Sequence, residues 1–231
     1  MDTSQADWIP ALLQLTDPAL PIGAYAHSLG LEGLVQSGQI TSAEELSTFL
    51  QRDVMASAAE VDLPLIRHAR AALEAEDFAL LSELDQLAWA SRQSTELRTA
   101  SAKMGRQLML LSQSLLHPPQ EALFATAQQH LPRQQNLTVL ALYQHLHGIP
   151  LEPALSGYVW QMCSGFAQAG LKLLHLGPIG IQRMLSDCLP QISSAVASSL
   201  LVEADHIGGF LPLWDIASAQ HEHAPARLFI S

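Results

Sequence analysis

The sequence predicts an all-α fold, a single compact domain of about ten helices, and three observations carry that reading. Leu and Ala, strong helix formers, number 41 and 32, whereas the β-branched Ile and Val number only 11 and 7. Apolar residues recur in steps of three and four over long stretches, and no stretch alternates as a strand would. No internal repeat, low-complexity tract or Gly/Ser linker divides the 231 residues, so one domain is expected over 1–231.

The elements follow in order. A first helix is expected over 8–16. Thr16-Asp-Pro-Ala-Leu-Pro-Ile-Gly-Ala-Tyr25 then breaks the helical pattern with two prolines and a glycine, and a second helix is expected over 25–37. Thr41-Ser-Ala-Glu44 reads as a capping box opening a helix that carries Leu46, Phe49, Leu50 and Val54. A helix over 62–75 comes next, and Asp77 is placed to cap another over 78–89.

The stripe Leu97, Ser101, Met104, Leu108, Leu111 and Leu115 puts one face of a long helix in the core, with Pro118 and Pro119 as its stop. Gly105 inside that helix costs about 1 kcal/mol against Ala, a cost that close helix–helix approach would justify. A helix over 119–131 is followed by one that Asn136 caps and that ends before Gly148-Ile-Pro150. The second long stripe is Leu155, Val159, Met162, Phe166, Ala169 and Leu173. Pro153 fits its first turn, and Gly177 with Pro178 fits a glycine cap and stop. The last long helix is expected over 179–201. From His206 onward the helical grammar fails again, yet Phe210, Leu211, Leu213, Trp214, Leu228, Phe229 and Ile230 make this tail costly to leave in water. It must fold back on the body or dock on another protein.

Composition narrows the function. A net charge of −11 repels phosphate backbones, so nucleic acid is not an expected partner. No apolar run approaches the roughly 20 residues of a membrane span. The first ten residues carry Asp2 and Asp7 and no basic residue, unlike a secretory signal. Cys163 and Cys188 lie 25 residues apart outside any CxxC and are expected as buried thiols of a reducing compartment, which makes the cytoplasm the expected location.

The search for chemistry finds no phosphate-binding loop, no dinucleotide fingerprint, no HExxH and no nucleophile elbow. His145 and His147 sit two apart on a helix, on different faces, and suit a helix end. His221-Glu-His223 is the one spacing that would let two imidazoles of an extended tail bend toward one ion, but so small a cluster assigns no metal ligand. His27, at a helix start, reads as a hydrogen-bonded structural residue. Glu96, Arg98, Lys103 and Arg106 read as a solvated charged strip with weak ion pairs. Taken alone, these residues describe an acidic helical protein with sticky ends. A generic helical adaptor and a helical metal-binding protein both remain open.

One segment goes further. Leu12 through Glu32, with Pro21-Ile-Gly-Ala-Tyr25 and His27-Ser-Leu-Gly-Leu-Glu32, resembles the urease accessory protein UreF family. Thr95-Glu-Leu-Arg98 with Lys103-Met-Gly-Arg106, then Leu176-Gly with Gln182-Arg-Met-Leu185, resemble its central and late helix motifs. Leu213–Ile216, His221-Glu222 and Arg227-Leu-Phe-Ile-Ser231 resemble its terminal signature. The resemblance implies a non-enzymatic, homodimeric chaperone of urease maturation. It would bind UreD (UreH in some organisms), recruit the GTPase UreG and engage apo-urease, with nickel handled by the assembled complex and no tightly bound cofactor. By the same resemblance, Pro21, Gly23, Tyr25, His27, Ser28, Gly30 and Glu32 lie near a dimer and GTPase-docking surface. His221, Glu222, Arg227, Leu228, Phe229 and Ser231, within a 206–231 tail, would order on UreD.

Overall fold

The computed structural model describes residues 7–224 and 226–230; Ser231, named above for the docking tail, and the side chain of Tyr25 lie outside the described groups. Helix α1 covers Ile9–Thr16 and α2 only Leu31–Gln36, with a single 3-10 turn at Ala24–Ala26 between them. The expected helix over 25–37 is shorter because Leu29 and Gly30 take left-handed backbone, φ 51° and 90°, which no α-helix continues.

The next rod is continuous but not uniform. Helices α3 (Ala43–Phe49), α4 (Met55–Ser57) and α5 (Leu63–Glu74) are joined by π-helical turns at Leu50–Val54 and Ala58–Asp62. The second turn has a visible cause. Pro64 has no amide hydrogen for the Glu60 carbonyl four residues back. That freed carbonyl accepts instead from Gly208 N, at 3.3 Å, and so ties the start of the tail to the rod. At the rod's N-terminus the capping box sits one residue later than expected. Ser42 Oγ accepts from Glu45 N at 3.2 Å, while Glu45 reaches back to Thr41 N and Thr41 Oγ at 2.7 and 2.8 Å.

Helices α6 (Phe78–Ala90), α7 (Thr95–Leu115), α8 (Pro118–Gln129), α9 (Asn136–Leu146), α10 (Leu151–Leu173), α11 (Pro178–Ser199) and α12 (Pro212–His221) complete the bundle. No strand occurs among the described residues. Helix α9 is the hub: every residue from Leu137 to Gln144 is buried, and it packs on α5, α6 and α7. Its start is not capped by Asn136, which is already the first helical residue. Asp85, wholly buried in α6, instead anchors the loop that leads into α9: its carboxylate accepts from Arg133 N (2.6 Å), Gln134 N (3.1 Å), Gln135 N (2.8 Å) and Thr138 Oγ1 (2.7 Å), while Ser101 Oγ accepts from the first helical amide, Asn136 N, at 3.2 Å. Three backbone amides and a hydroxyl satisfy its two oxygens, which is what lets the acid be buried.

Gly105 is justified as expected, by close approach, although its neighbour is the backbone carbonyl of Gln134 in the loop leading into α9. Gly177 is not the cap of α10. His175 takes the left-handed position, φ 52°, and Gly177 is extended at the start of α11, where Pro178 occupies the first turn. Asp77 caps α6 as expected, accepting from Leu80 N at 3.0 Å. Cys163 and Cys188 are buried free thiols facing each other between α10 and α11, and the neighbouring sulfur and burial push the Cys163 thiol up. No helix is long and apolar enough to cross a membrane among the described residues.

Candidate functional site

The residues singled out at the two ends of the chain meet in one place. Helix α2 begins where Ser28 supplies both of its oxygens: its carbonyl accepts from Leu31 N at 3.1 Å and its hydroxyl from Glu32 N at 3.2 Å. Gly30 and Gly33 then present bare backbone to α12. A Cβ on Gly30 would overlap the Ser218 hydroxyl and the Trp214 indole, and one on Gly33 would overlap the Ala217 carbonyl. The Trp214 indole N–H donates to the Leu29 carbonyl at 2.7 Å, and its ring meets Phe49 and Phe166 edge-on at 5.1 and 5.6 Å. The inner face of α12 is therefore locked to α2 and the core.

Glu32 finishes the lock. Only 2% exposed, its carboxylate accepts from Leu228 N at 2.8 Å and Phe229 N at 3.0 Å, touches His221 Nε2 at 3.0 Å and accepts from Gln36 Nε2 at 3.3 Å. His221 is buried, and its other ring nitrogen lies 2.8 Å from Glu96 of α7. The second oxygen of Glu96 accepts from Arg227 at 2.8 Å. Ile230 N donates to the Ala26 carbonyl at 2.9 Å, Gln36 Nε2 to the Ala226 carbonyl at 3.0 Å, and the Phe229 ring is buried beneath the Lys172 ammonium. Of the two fates expected for the apolar tail, folding back on the body is the one seen here.

Placement of the sequence-derived residues is uneven. Ser28, Gly30 and Glu32 are brought together with His221, Arg227, Leu228 and Phe229, although the resemblance assigned the two groups to different surfaces. Pro21 is exposed in the loop, and Gly23 holds φ 81° there. His27 is half-buried, and burial together with the nearby Lys103 ammonium lowers its proton affinity. Glu222 and His223 are exposed. Both ring nitrogens of His221 face carboxylates, so the pair does not converge on one ion, and no group of three or more His, Cys, Asp or Glu among the described residues is arranged to hold a metal. Glu96 was read as part of a solvated strip and is instead a largely buried partner of the tail. The signal for it was present in Thr95-Glu-Leu-Arg98, one of the segments that carried the resemblance, but spacing along one helix cannot show what lies across from it.

What the clamp leaves outside is apolar. Phe210, just before α12, is 80% exposed, and Leu213 and Ile216, three residues apart on α12, are exposed as well. In the tail, Leu228, 72% exposed, and Ile230 are open to water while Phe229 is buried. A separate cleft of about 390 Å³ opens between the 17–29 loop, α7, α10 and the tail, walled by Leu20, Ile22, Met104, Met162, Phe166 and Phe229.

Comparison with known proteins is consistent across the chain. The UreF family model matches residues 40–189. A urease accessory protein UreF of Alkalilimnicola ehrlichii is 33% identical over 220 residues, covering 95% of this chain and 94% of its own. Those of Marinomonas sp. and Thermosynechococcus vestitus are 32% and 34% identical, again over 95% of this chain and over 93% and 96% of theirs.

Proposed function

The chain belongs to the UreF family of urease accessory proteins, and we propose that it works without catalysis of its own, as a cytoplasmic, homodimeric docking platform in maturation of the urease nickel site. In this reading it binds UreD (UreH), recruits the GTPase UreG and engages apo-urease, and nickel is cargo of the assembled complex during GTP-dependent insertion. The observation that carries the reading is the two-sidedness of the C-terminal segment. On its inner face Ala217, Ser218, His221 and Phe229 are buried against the body and Trp214 is half-buried there, whereas Phe210, Leu213, Ile216, Leu228 and Ile230 are held in water. Rigidly presented apolar side chains of this kind suit a protein partner, because ordering them has already been met by the fold.

The 206–231 segment is thus proposed as the UreD-docking element, with Arg227, Leu228 and Phe229 set in place by Glu32 and Glu96. Pro21, Gly23 and His27 sit on the adjoining loop, and that loop is proposed to serve the dimer or GTPase contact. A Leu213→Glu/Ile216→Glu variant tests the docking role, since both side chains are more than half exposed and neither belongs to the inner face. Purified variant of unchanged helicity and melting temperature is expected to lose capture of UreD. Capture at the wild-type level would remove the outward face of α12 from the interface.

A further inference from the structure

The fold treats its tryptophans unequally. Trp8, Trp160 and Trp214 pack against the hydrophobic core. Trp89, at the end of α6, is half-buried and lies among charges instead. The Arg133 guanidinium stands over its ring at 5.0 Å from the centroid, and that of Arg98 at 5.9 Å. The two cations are thus within about 11 Å of each other, close to the screening length of physiological salt, and repel unless an anion joins them.

No such anion comes from the described residues. Arg52, Arg70, Arg92 and Arg227 each pair with a carboxylate, whereas Arg98 and Arg133 form no ion pair among the described residues of a chain with 22 acids. The acids bound to the same elements are engaged elsewhere. Glu96 holds His221 and Arg227, and Asp85 accepts from the amides of Arg133, Gln134 and Gln135. Asp85 thereby fixes the backbone that carries Arg133. None of Trp89, Arg98 and Arg133 lines the cleft beside α10.

From this we propose that Trp89, Arg98 and Arg133 form a docking site for an acidic segment of another protein, in which two carboxylates take the two guanidinium groups and the chain between them lies across the indole. An arginine stacked on a ring keeps the N–H edge of its plane free, so each fork is already oriented for a carboxylate. The indole adds flat apolar area that needs no further ordering, and Trp with Arg are the residue types that anchor interfaces. A nucleic acid would bring its phosphates up to a body of charge −11, and a second copy of this chain would bring another −11. A free inorganic oxyanion would meet the forks and leave the indole uncovered.

The proposal extends the reading of the chain as a docking platform, and its test uses none of the urease proteins, so the two fail separately. A synthetic peptide rich in Asp and Glu is titrated into the full chain, followed by calorimetry and tryptophan emission, with its Asn/Gln counterpart as control. The acidic peptide is expected to bind, more weakly as salt is added, and the control to stay free. Arg98→Gln and Arg133→Gln should each weaken binding about tenfold or more at an unchanged melting temperature. Arg133→Lys, which keeps the charge and loses the fork, should weaken it less than Arg133→Gln. Trp89→Phe should abolish the emission change. Absence of peptide binding, or affinities of both Gln variants within about twofold of wild type, would overturn the proposal. So would inorganic phosphate binding as tightly as the peptide, the occupant then being a free anion, or a change confined to self-association in sedimentation. Failure of the wild-type chain to capture UreD would overturn the docking-platform reading instead.

Discussion

Replacing Glu32 by Ala should release the last residues of the chain while the helical body stays folded. The carboxylate, itself only 2% exposed, holds two tail amides, Leu228 N and Phe229 N, and one nitrogen of the His221 ring. Leaving a buried donor without an acceptor costs about 1–3 kcal/mol, and more when a charged group is involved. Keeping the tail in place after the substitution would therefore cost roughly 3–9 kcal/mol for the three donors together. Against this stands chiefly the burial of the Phe229 side chain, worth about 1.5–3 kcal/mol. The first quantity exceeds the second, so the tail should leave the surface rather than remain with unpaired amides. Hydrogen exchange is the direct assay: protection of the Leu228, Phe229 and Ile230 amides should vanish, while that of α9 persists. Cleavage by a mild protease after Arg227 should appear at the same time. Undiminished protection at Leu228 and Phe229 in the variant would refute the assignment of Glu32 as the anchor.

Further outcomes follow from other sites. Asp85→Ala should destabilise the chain by at least about 3 kcal/mol, because three backbone amides of the 133–135 loop leading into α9 lose their acceptor; urea unfolding measures this, and a loss below about 1 kcal/mol would deny Asp85 its role as the anchor of that loop. Alanine at two glycines should have opposite signs: Gly105→Ala lowers the melting temperature because the new methyl meets the Gln134 carbonyl, whereas Gly165→Ala raises it by up to about 1 kcal/mol equivalent, having only open space to enter. Shifts of the same sign would contradict the packing described. Gly23→Val places a β-branched residue at φ 81° and should cost about 1–3 kcal/mol locally, altering exchange in the 17–29 loop while far-UV helicity is kept. Burial lowers the proton affinity of His27, His145 and His147 in the folded chain. The unfolded chain takes up protons first as pH falls below about 6.5. Stability is therefore full above that value and declines on acidification toward the lower folded-state values. A melting temperature that stays constant or rises between pH 7.5 and 5.5 would contradict this, once the carboxylates are held constant by working above about pH 5.

The fold was legible because its signals are local. Leu and Ala content, the stripes from Leu97 and from Leu155, Asp77 before α6 and Pro118 at the end of α7 act within one or two turns, and the structure keeps each of them. Errors arose where the partner lies far along the chain. Asn136 reads as the cap of α9, but the amides at and just before the helix start are held by Asp85, some fifty residues earlier, and by Ser101 of α7. Gly177 looked like the stop of α10, but the left-handed residue is His175. Glu96 looked solvated because its partners, His221 and Arg227, are more than a hundred residues away.

By itself, then, the amino-acid sequence determined the helical class, most helix positions and, through its resemblance to a family, which segments matter. Periodicity and short-range capping are encoded in neighbouring residues, and motifs survive as strings. Only the tertiary structure decided that the segment around Glu32 and the C-terminal segment form one cluster rather than two surfaces. It also decided which tail residues face inward and which face water, and it left Gly165 bare beside an open cleft. Those outcomes depend on which carboxylates remain unpaid for hydrogen bonds once α2, α7 and α12 have packed, and on which glycine the packing then leaves without a neighbour. Both are properties of packed helices in space, and no window along the chain contains them.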